Sequence, residues 1–302
     1  MDFDDRARLD ASQVEDIGSS GSSGSGGGSG GGGLLLGGGA AGVVLLVVAL
    51  LFGIISPADL LGDDPAPPAK GKQGSNSQGS KKQVTDLTEC KTGADAGKSQ
   101  KCRIVGIVNS LQKYWEHQID GYELAKTTLF TGKVKTGCGA ADSSDGPFYC
   151  PPDQRVYLDI SFFEELRADF GAQGGPFTEA YVIGHEYGHH VQNLLGDIDK
   201  GTGKGATSGS VRLELQADCY AGVWASNAVE TGFFAKPFTD KDIRQALDAA
   251  AAIGDDHIQE MARGRVSPEK FTHGTAAQRV KWFKRGYGTG EPDRCDTFSG
   301  SI

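Results

Sequence analysis

The sequence predicts an α+β protein that is mainly helical and is preceded by one transmembrane helix. Three observations lead to this prediction: a charge-free apolar stretch near the N-terminus, several later segments with helical periodicity and capping residues, and one short stretch of alternating apolar and polar residues. The chain has 302 residues and a formal net charge of −9, and it contains no long run of Lys or Arg. We therefore expect no nucleic-acid partner.

The first 85 residues divide into three regions by composition. Residues 1–33 are acidic and then rich in Gly and Ser, which predicts a disordered cytoplasmic tail. Residues 34–55 (LLLGGGAAGVVLLVVALLFGII) carry no charge, and as a helix they would span about 33 Å, enough to cross a bilayer. A cleaved signal peptide is the alternative, but the preceding region is too long and too acidic, and no A-x-A site follows. Residues 56–85 predict a disordered stalk, and residues 86–302 are long enough for one folded domain.

All six cysteines lie C-terminal to the apolar stretch. An even number confined to one side of a membrane indicates disulfides, and hence an extracytoplasmic domain. Six cysteines allow 15 pairings, and a structural zinc site is the rival interpretation, although no C-x-x-C pair is present. Proximity in sequence favours two short loops and leaves one further pair: Cys90–Cys102, Cys138–Cys150 and Cys219–Cys295.

Within the domain, helical periodicity and capping residues predict helices over 104–128, 178–195, 211–230, from 240 onward, and 276–285. Residues 155–160 (RVYLDI) alternate apolar and polar side chains and predict a strand, which we expect at an edge where it could pair with an extended peptide.

The stretch GHEYGHHVQ, residues 184–192, carries the chemistry that stands out in this chain. Successive helical residues are about 100° apart, so His185 and His189 project from one face and could bind one metal ion. Glu186 is rotated away from that pair, where it could act as a general base towards water. His190 is about 100° from His189 and is expected to be a supporting or surface residue rather than a ligand.

A catalytic zinc site requires a third protein ligand, and VRLELQADCYAGVWA, residues 211–225, offers one. Glu214 and Asp218 share a face of this mostly apolar helix, and two buried carboxylates require a partner. We expect Glu214 to be the third ligand. Asp218 is expected to accept a hydrogen bond from the outer nitrogen of a ligand histidine.

Five segments carry a family resemblance: TGCGAADSSDGPFYCPPDQRVYLDISFFEEL (136–166), YVIGHEYGHHVQ (181–192), RLELQADCYAGVWA (212–225), AAIGDD (251–256) and HGTAAQRVKWFKRGY (273–287). In these segments the chain resembles the bacterial putative neutral zinc metallopeptidase family, membrane-anchored proteins with a zincin-like catalytic domain. The HEYGH and ELQAD pair is also similar to that of gluzincin membrane proteases. This resemblance implies a zincin-like domain over 86–302, one Zn²⁺ held by His185, His189 and Glu214, and Glu186 as base.

The same proteases have a histidine and an arginine in a late H-P-x(4)-R segment. His273 and Arg279 fit that spacing, although Gly274 replaces the proline. The resemblance therefore implies that His273 could stabilise the oxyanion of a tetrahedral intermediate. Tyr157 in the predicted edge strand is a rival donor, and His273 could alternatively cap the helix that follows it.

These observations predict a zinc-dependent endopeptidase, anchored by a single-pass helix in the cytoplasmic membrane of a bacterium with its catalytic domain outside. Its expected partners are a peptide or protein substrate and the membrane. One alternative is a non-proteolytic module in which zinc only staples a binding or scaffold domain, but such a site has no use for Glu186. Another is a hydrolase of non-peptide amides.

Overall fold

The computed structural model describes residues 1–19 and 87–302. Within these two ranges no helix is both long enough and apolar enough to cross a bilayer. The predicted transmembrane helix over 34–55 and the predicted stalk over 56–85 lie outside the described residues. The described chain is α+β and mainly helical, as the sequence predicts.

The helices of the described chain are α1 (Gly93–Ala96), α2 (Gln100–Gln118), α3 (Phe162–Ala168), α4 (Pro176–Leu195), α5 (Gly209–Asn227), α6 (Asp240–Ala252), α7 (Asp255–Arg263) and α8 (Ala276–Thr289). Helix α5 lies at the centre and packs against both α4 and α8, while α2 and α6 cover α4. The main hydrophobic core lies between these helices and one face of the sheet.

The strands of the described chain are β1 (Val14–Ser19), β2 (Lys126–Thr131), β3 (Lys133–Thr136), β4 (Gly139–Asp142), β5 (Phe148–Cys150) and β6 (Arg155–Asp159). Four of them form one sheet in the order β1-β2-β6-β5, in which β1, β2 and β6 are parallel and β5 is antiparallel to β6. Strands β3 and β4 form a separate antiparallel hairpin.

The helix predicted over 104–128 ends earlier than expected. Helix α2 stops at Gln118, the chain turns at Gly121, where φ is +74°, and residues from Lys126 onward form β2. The β-branched pair Thr127 and Thr128 favours a strand over a helix, and long-range pairing with β6 decides the outcome.

The strand predicted at RVYLDI is present as β6, but its expected position at an edge is wrong. It lies between β2, which pairs along its whole length, and β5, which pairs with Arg155–Tyr157, so β6 is a central strand. The edge strand beside it is β5, which has only three residues and is too short to be recognised from alternation.

The expectation of a disordered tail over 1–33 is wrong for residues 1–19. Strand β1 extends the main sheet, in parallel register with β2, and Phe3 is buried at 8% exposure in the main core. The physical reason is long-range: an acidic, weakly patterned segment becomes ordered because the helical domain supplies its partners. The three disulfides are those expected from the sequence: Cys90–Cys102, Cys138–Cys150 and Cys219–Cys295.

Candidate metal centre

Helix α4 carries the GHEYGHHVQ stretch and is buried along most of its length. Pro176 occupies its first turn, where a missing N–H costs nothing, and Gly196 ends it in the left-handed conformation with φ of +74°. His185 and His189 lie one turn apart on the face towards α5, with ring centroids separated by 4.7 Å.

Glu214 on α5 faces both histidines. Its Oε2 lies 3.1 Å from Nε2 of His185, and its Oε1 lies 3.5 Å from Nε2 of His189. One ligand atom from each of the three residues falls within 4.8 Å of the others, a grouping that could hold a metal ion. The structure thus brings together the three residues that the sequence proposed as ligands.

Three neighbouring histidines keep the Glu214 carboxyl ionised. Burial by itself raises its pKa, but the nearby His189, His273 and His185 lower the pKa well below the ordinary glutamate value. Glu214 therefore remains a carboxylate, the form in which its oxygens can bind a metal.

Asp218 supports His185 from behind, as the sequence proposed. Its Oδ1 accepts hydrogen bonds from Nδ1 of His185 at 2.9 Å and from the hydroxyl of Tyr181 at 2.6 Å. The guanidinium of Arg279 on α8 donates to both carboxylate oxygens, at 2.9 and 3.0 Å. With its Nδ1–H donated to Asp218, His185 directs Nε2 to the side where Glu214 lies, the position from which Nε2 could bind a metal ion in place of its proton.

Asp218 and Arg279 are almost fully buried, so each depends on the other for charge compensation. Burial raises the pKa of Asp218, but Arg279 and His185 lower it below the ordinary aspartate value. Sequence reasoning assigned no role to Tyr181. Its position, four residues before His185 and hence on the same helical face, was the available signal.

His189 has a support of a different kind. Its Nδ1 lies 2.8 Å from Oε1 of Gln192, and the amide nitrogen of Gln192 donates to the carbonyl oxygen of Leu213 at 2.7 Å. Gln192 is fully buried and thereby ties the orientation of His189 to the backbone of α5. Sequence reasoning missed Gln192, although it lies one turn beyond His189.

Glu186 lies beside the three-residue group with its side chain largely buried, at 7% exposure. Burial raises the pKa of its carboxyl above the ordinary glutamate value, an effect that His185 and His189 partly oppose. No hydrogen bond to this carboxylate is formed from within residues 1–19 or 87–302. A carboxyl group with a raised pKa and no fixed partner is suited to proton transfer.

His273 approaches the same site from the segment before α8. Its side chain is 21% exposed, and its Nδ1 lies 3.4 Å from Oδ1 of the buried Asp255. The other oxygen of Asp255 accepts the backbone N–H groups of Thr272, His273 and Gly274 at 2.8, 2.7 and 2.9 Å. Asp255, which the sequence reasoning did not single out, therefore fixes the turn. The imidazole itself is held by both Asp255 and the Thr272 hydroxyl, which lies 3.0 Å from Nδ1.

The pKa of His273 is raised above the ordinary histidine value. Burial acts in the opposite direction, but the negative charges of Glu214 and Asp255 outweigh it. An imidazole that keeps its proton is a hydrogen-bond donor.

Other residues weighed from the sequence lie elsewhere. His190 is fully buried, with Nδ1 2.9 Å from the Tyr149 hydroxyl and Nε2 2.6 Å from the carbonyl oxygen of Glu123, so it is neither a ligand nor a surface residue. Tyr157 donates to Asp153 at 2.7 Å and packs on Phe148, outside the cavity that the histidines face.

That cavity has a volume of about 970 Å³ and is lined by His185, Glu186, His189, Glu214 and His273 on one side. Its other walls are mainly apolar and come from β5 and its flanking residues, from α3 and the segment after it, and from α7: Pro147, Phe148, Pro151, Phe162, Phe170 and Ile258. This volume is sufficient for several residues of an extended peptide beside the ligand group.

Comparisons with known proteins identify a family and several relatives. The family model described as "Putative neutral zinc metallopeptidase" matches residues 1–298. The uncharacterized protein Rv2575 of Mycobacterium tuberculosis is 53% identical over 222 residues, which cover 71% of this chain and 76% of that protein. The uncharacterized protein YpfJ of Escherichia coli K12 is 41% identical over 240 residues, covering 72% and 82%. No solved structure gave a significant match.

Proposed function

Because the chain belongs to the putative neutral zinc metallopeptidase family, we propose that it is a zinc-dependent endopeptidase that cleaves peptide or protein substrates. One observation carries the proposal: the possible ligand group of His185, His189 and Glu214 shares a largely apolar cavity with Glu186, a buried carboxyl that no described residue holds by a hydrogen bond. A site that only stabilised the fold would close with a fourth protein ligand and would not need such a carboxyl.

The charges of the site support a divalent cation. Apart from the histidines, the buried ionisable groups in and around the cluster are the carboxylates Glu186, Glu214, Asp218 and Asp255 and the guanidinium of Arg279. Negative charge is therefore in excess. Burial lowers the pKa of His185, but Asp218 and Glu214 raise it to about 10. Without a metal ion, a proton on His185 therefore offsets part of this negative charge, and a bound cation would take its place.

The donor set also fits zinc, which binds imidazole nitrogen and carboxylate oxygen in catalytic sites with one position left open. When bound, zinc would polarise the scissile carbonyl group and make water a nucleophile near neutral pH. Asp218 and Gln192 would keep Nε2 of His185 and His189 directed towards the ion.

The remaining steps belong to the protein. Glu186 takes a proton from the attacking water and later passes it to the leaving amine, and its raised pKa brings it closer to the pH at which both transfers are efficient. His273, held by Asp255, donates a hydrogen bond to the developing oxyanion.

We place the activity on the extracytoplasmic side of a bacterial cytoplasmic membrane. All six cysteines of the sequence form disulfides, which persist in oxidising compartments. The apolar stretch over 34–55 would keep the protein at the membrane.

The proposal is tested with the full chain, a defined peptide library and metal analysis. Wild-type protein should contain zinc and cleave peptides, and a chelator should abolish cleavage. Glu186→Gln should keep zinc but lose cleavage by at least about 10²-fold. Glu214→Ala should lose zinc. Glu164→Gln, the same change at a carboxylate that is 72% exposed on α3, serves as the matched control and should behave as wild type.

Two outcomes would contradict the proposal. Normal cleavage by Glu186→Gln would remove the general base from the mechanism. Stable zinc without cleavage of any peptide by the wild type would instead favour the non-proteolytic scaffold module.

A further inference from the structure

Residues 1–19 are held by the helical domain along their whole length. Phe3 forms an antiparallel bridge with Phe234, and the ring centroids of the two side chains are 4.7 Å apart. Five residues later, Arg8 forms a second antiparallel bridge with Thr92. Strand β1 then continues into the main sheet. Three separate backbone pairings within 19 residues indicate that this segment is an integral part of the folded domain.

The receiving surface has the shape of this segment. A Cβ atom added to Gly106 on α2 would lie 2.6 Å from the ring of Phe3. A Cβ atom added to Gly93 would lie 2.0 Å from the carbonyl oxygen of Asp4. Neither residue has a positive φ, so no backbone strain accounts for glycine at these positions. The space that both glycines leave free is occupied by residues 1–19.

The polar groups of the surface are also satisfied by this segment. Asn109 on α2 is only 3% exposed. Its carboxamide accepts the N–H of Asp10 at 2.8 Å, donates to the carbonyl oxygen of Asp10 at 3.0 Å and donates to Oε1 of Gln13 at 2.9 Å. Without the segment this amide would lose each of these partners.

The segment also covers the edge of the main sheet. Strand β1 pairs with β2 in the register Val14 to Thr127, and Val14 is buried at 5% exposure. Beside it Lys101 forms an ion pair with Asp16, which is 4% exposed. Removing β1 would leave β2 as an open, largely buried edge, which folded proteins avoid.

The surface formed by α2, the Gly93 turn and the edge of β2 thus holds the chain's own residues 1–19. We propose that the two parts fold as one unit and lie on the same side of the membrane. The charge-free stretch over 34–55 lies between them in sequence. A single crossing by that stretch would put the two parts in different compartments, so the docked segment excludes a cytoplasmic location for residues 1–19 when the domain is outside.

Docking within one chain is tested by a cysteine pair in the full-length protein. Arg8 and Thr92 form a bridge whose flanking hydrogen bonds run from Leu9 N–H to Lys91 and from Gly93 N–H to Ala7. This is the close, non-hydrogen-bonded type of antiparallel pair, with a Cα separation of about 4.5 Å, within disulfide range. Arg8→Cys with Thr92→Cys should therefore form an intrachain disulfide in most molecules.

The matched control combines Arg8→Cys with His117→Cys, an exposed residue near the far end of α2, about 25 Å along the helix from its start. This pair should remain unlinked. Absence of the 8–92 bond, or a bond that joins only two different chains, would overturn the proposal.

Sidedness is tested separately with two single-cysteine variants and a membrane-impermeant maleimide applied to intact spheroplasts. Arg6, whose side chain is 91% exposed, reports on the N-terminal segment, and His117 reports on the domain. Arg6→Cys and His117→Cys should be labelled together, or be protected together until the membrane is opened. Labelling of one with protection of the other would overturn the proposal. Neither result depends on zinc or cleavage, so the proposed activity is judged independently.

Discussion

Gly188 offers a test of how closely helices α4 and α5 must approach for the site to form. A Cβ atom at Gly188 would lie 2.9 Å from Cα, 3.0 Å from the carbonyl oxygen and 3.1 Å from Cβ of Ala217 on α5. These are mainly backbone atoms, so the contact is relieved only if one helix moves. Gly184, one turn earlier, is looser: its Cβ atom would meet the Ala221 methyl group at 3.3 Å and the Trp224 ring at 3.5 Å.

The two substitutions are therefore expected to differ in sign. Replacing Gly by Ala in a helix interior contributes about 1 kcal/mol to stability, because the unfolded chain loses freedom. Overpacking costs about 1–3 kcal/mol, and a backbone contact belongs in the upper part of that range. Gly188→Ala should thus lower the free energy of unfolding by about 1–2 kcal/mol, whereas Gly184→Ala should leave it unchanged or raise it by up to about 1 kcal/mol.

The displaced helix should also affect metal binding. Ala217 lies next to Asp218 and three residues after Glu214, so a shift of α5 moves Glu214 away from His185 and His189. We expect zinc affinity to fall on the order of tenfold in Gly188→Ala, the lower end of what disturbed supporting contacts cost.

The assay combines chemical denaturation of the two variants with zinc competition against a chelating dye. Denaturation is measured in chelator, so that the metal contributes nothing to the stability difference. If Gly188→Ala proves as stable as Gly184→Ala and binds zinc equally well, the close approach of the two helices does not determine the site and the reasoning fails.

Three further predictions concern the groups around the ligands. Asp218→Asn should weaken zinc binding by about 10–100-fold, and it should destabilise the metal-free protein by about 3–5 kcal/mol because Arg279 loses its buried counter-charge; isothermal titration and denaturation measure the two effects. Asp255 has a pKa held below the ordinary aspartate value, with burial opposed by His273 and the backbone N–H groups. The ionised Asp255 therefore stabilises the fold fully above a pH of about 4, and this stabilisation is lost as the pH falls through the pKa of the folded protein. Acid should consequently reduce the free energy of unfolding less in Asp255→Asn than in wild type. His273→Phe should keep zinc but lower kcat/KM by about 10²–10³-fold; equal kinetics would exclude an oxyanion role.

The residues of the site were accessible from the sequence because helical periodicity is local. His185 and His189 are four apart on one helix and Glu214 and Asp218 four apart on another, so each pair's common face follows from the 100° turn per residue. What made the two faces meet was not local. The close approach at Gly188 and the hydrogen bond from Gln192 to the Leu213 backbone depend on a partner helix.

The errors have the same origin. Val14 to Ser19 is a strand because it pairs with β2, and the residues before it are held by Asn109 through Asp10 and Gln13. Nothing within residues 1–33 indicates those partners. The sequence predicts RVYLDI at an edge because β5 is only three residues long and leaves almost no alternation to detect. Composition and alternation describe only a segment itself. The structures of both segments depend on the strands that pair with them.

The supports of the site are distributed over three helices in a way that separates scaffold from chemistry. Helix α5 is joined to α8 by the ion pair of Asp218 with Arg279, and to the turn after α8 by the adjacent disulfide Cys219–Cys295. Helix α4 is joined to α5 by Gln192, which also orients His189. The contacts of Asp218 and Gln192 each orient one of the two ligand histidines. Glu186 faces the cavity without such a contact from any described residue, which is what a group that must exchange protons with water and substrate requires.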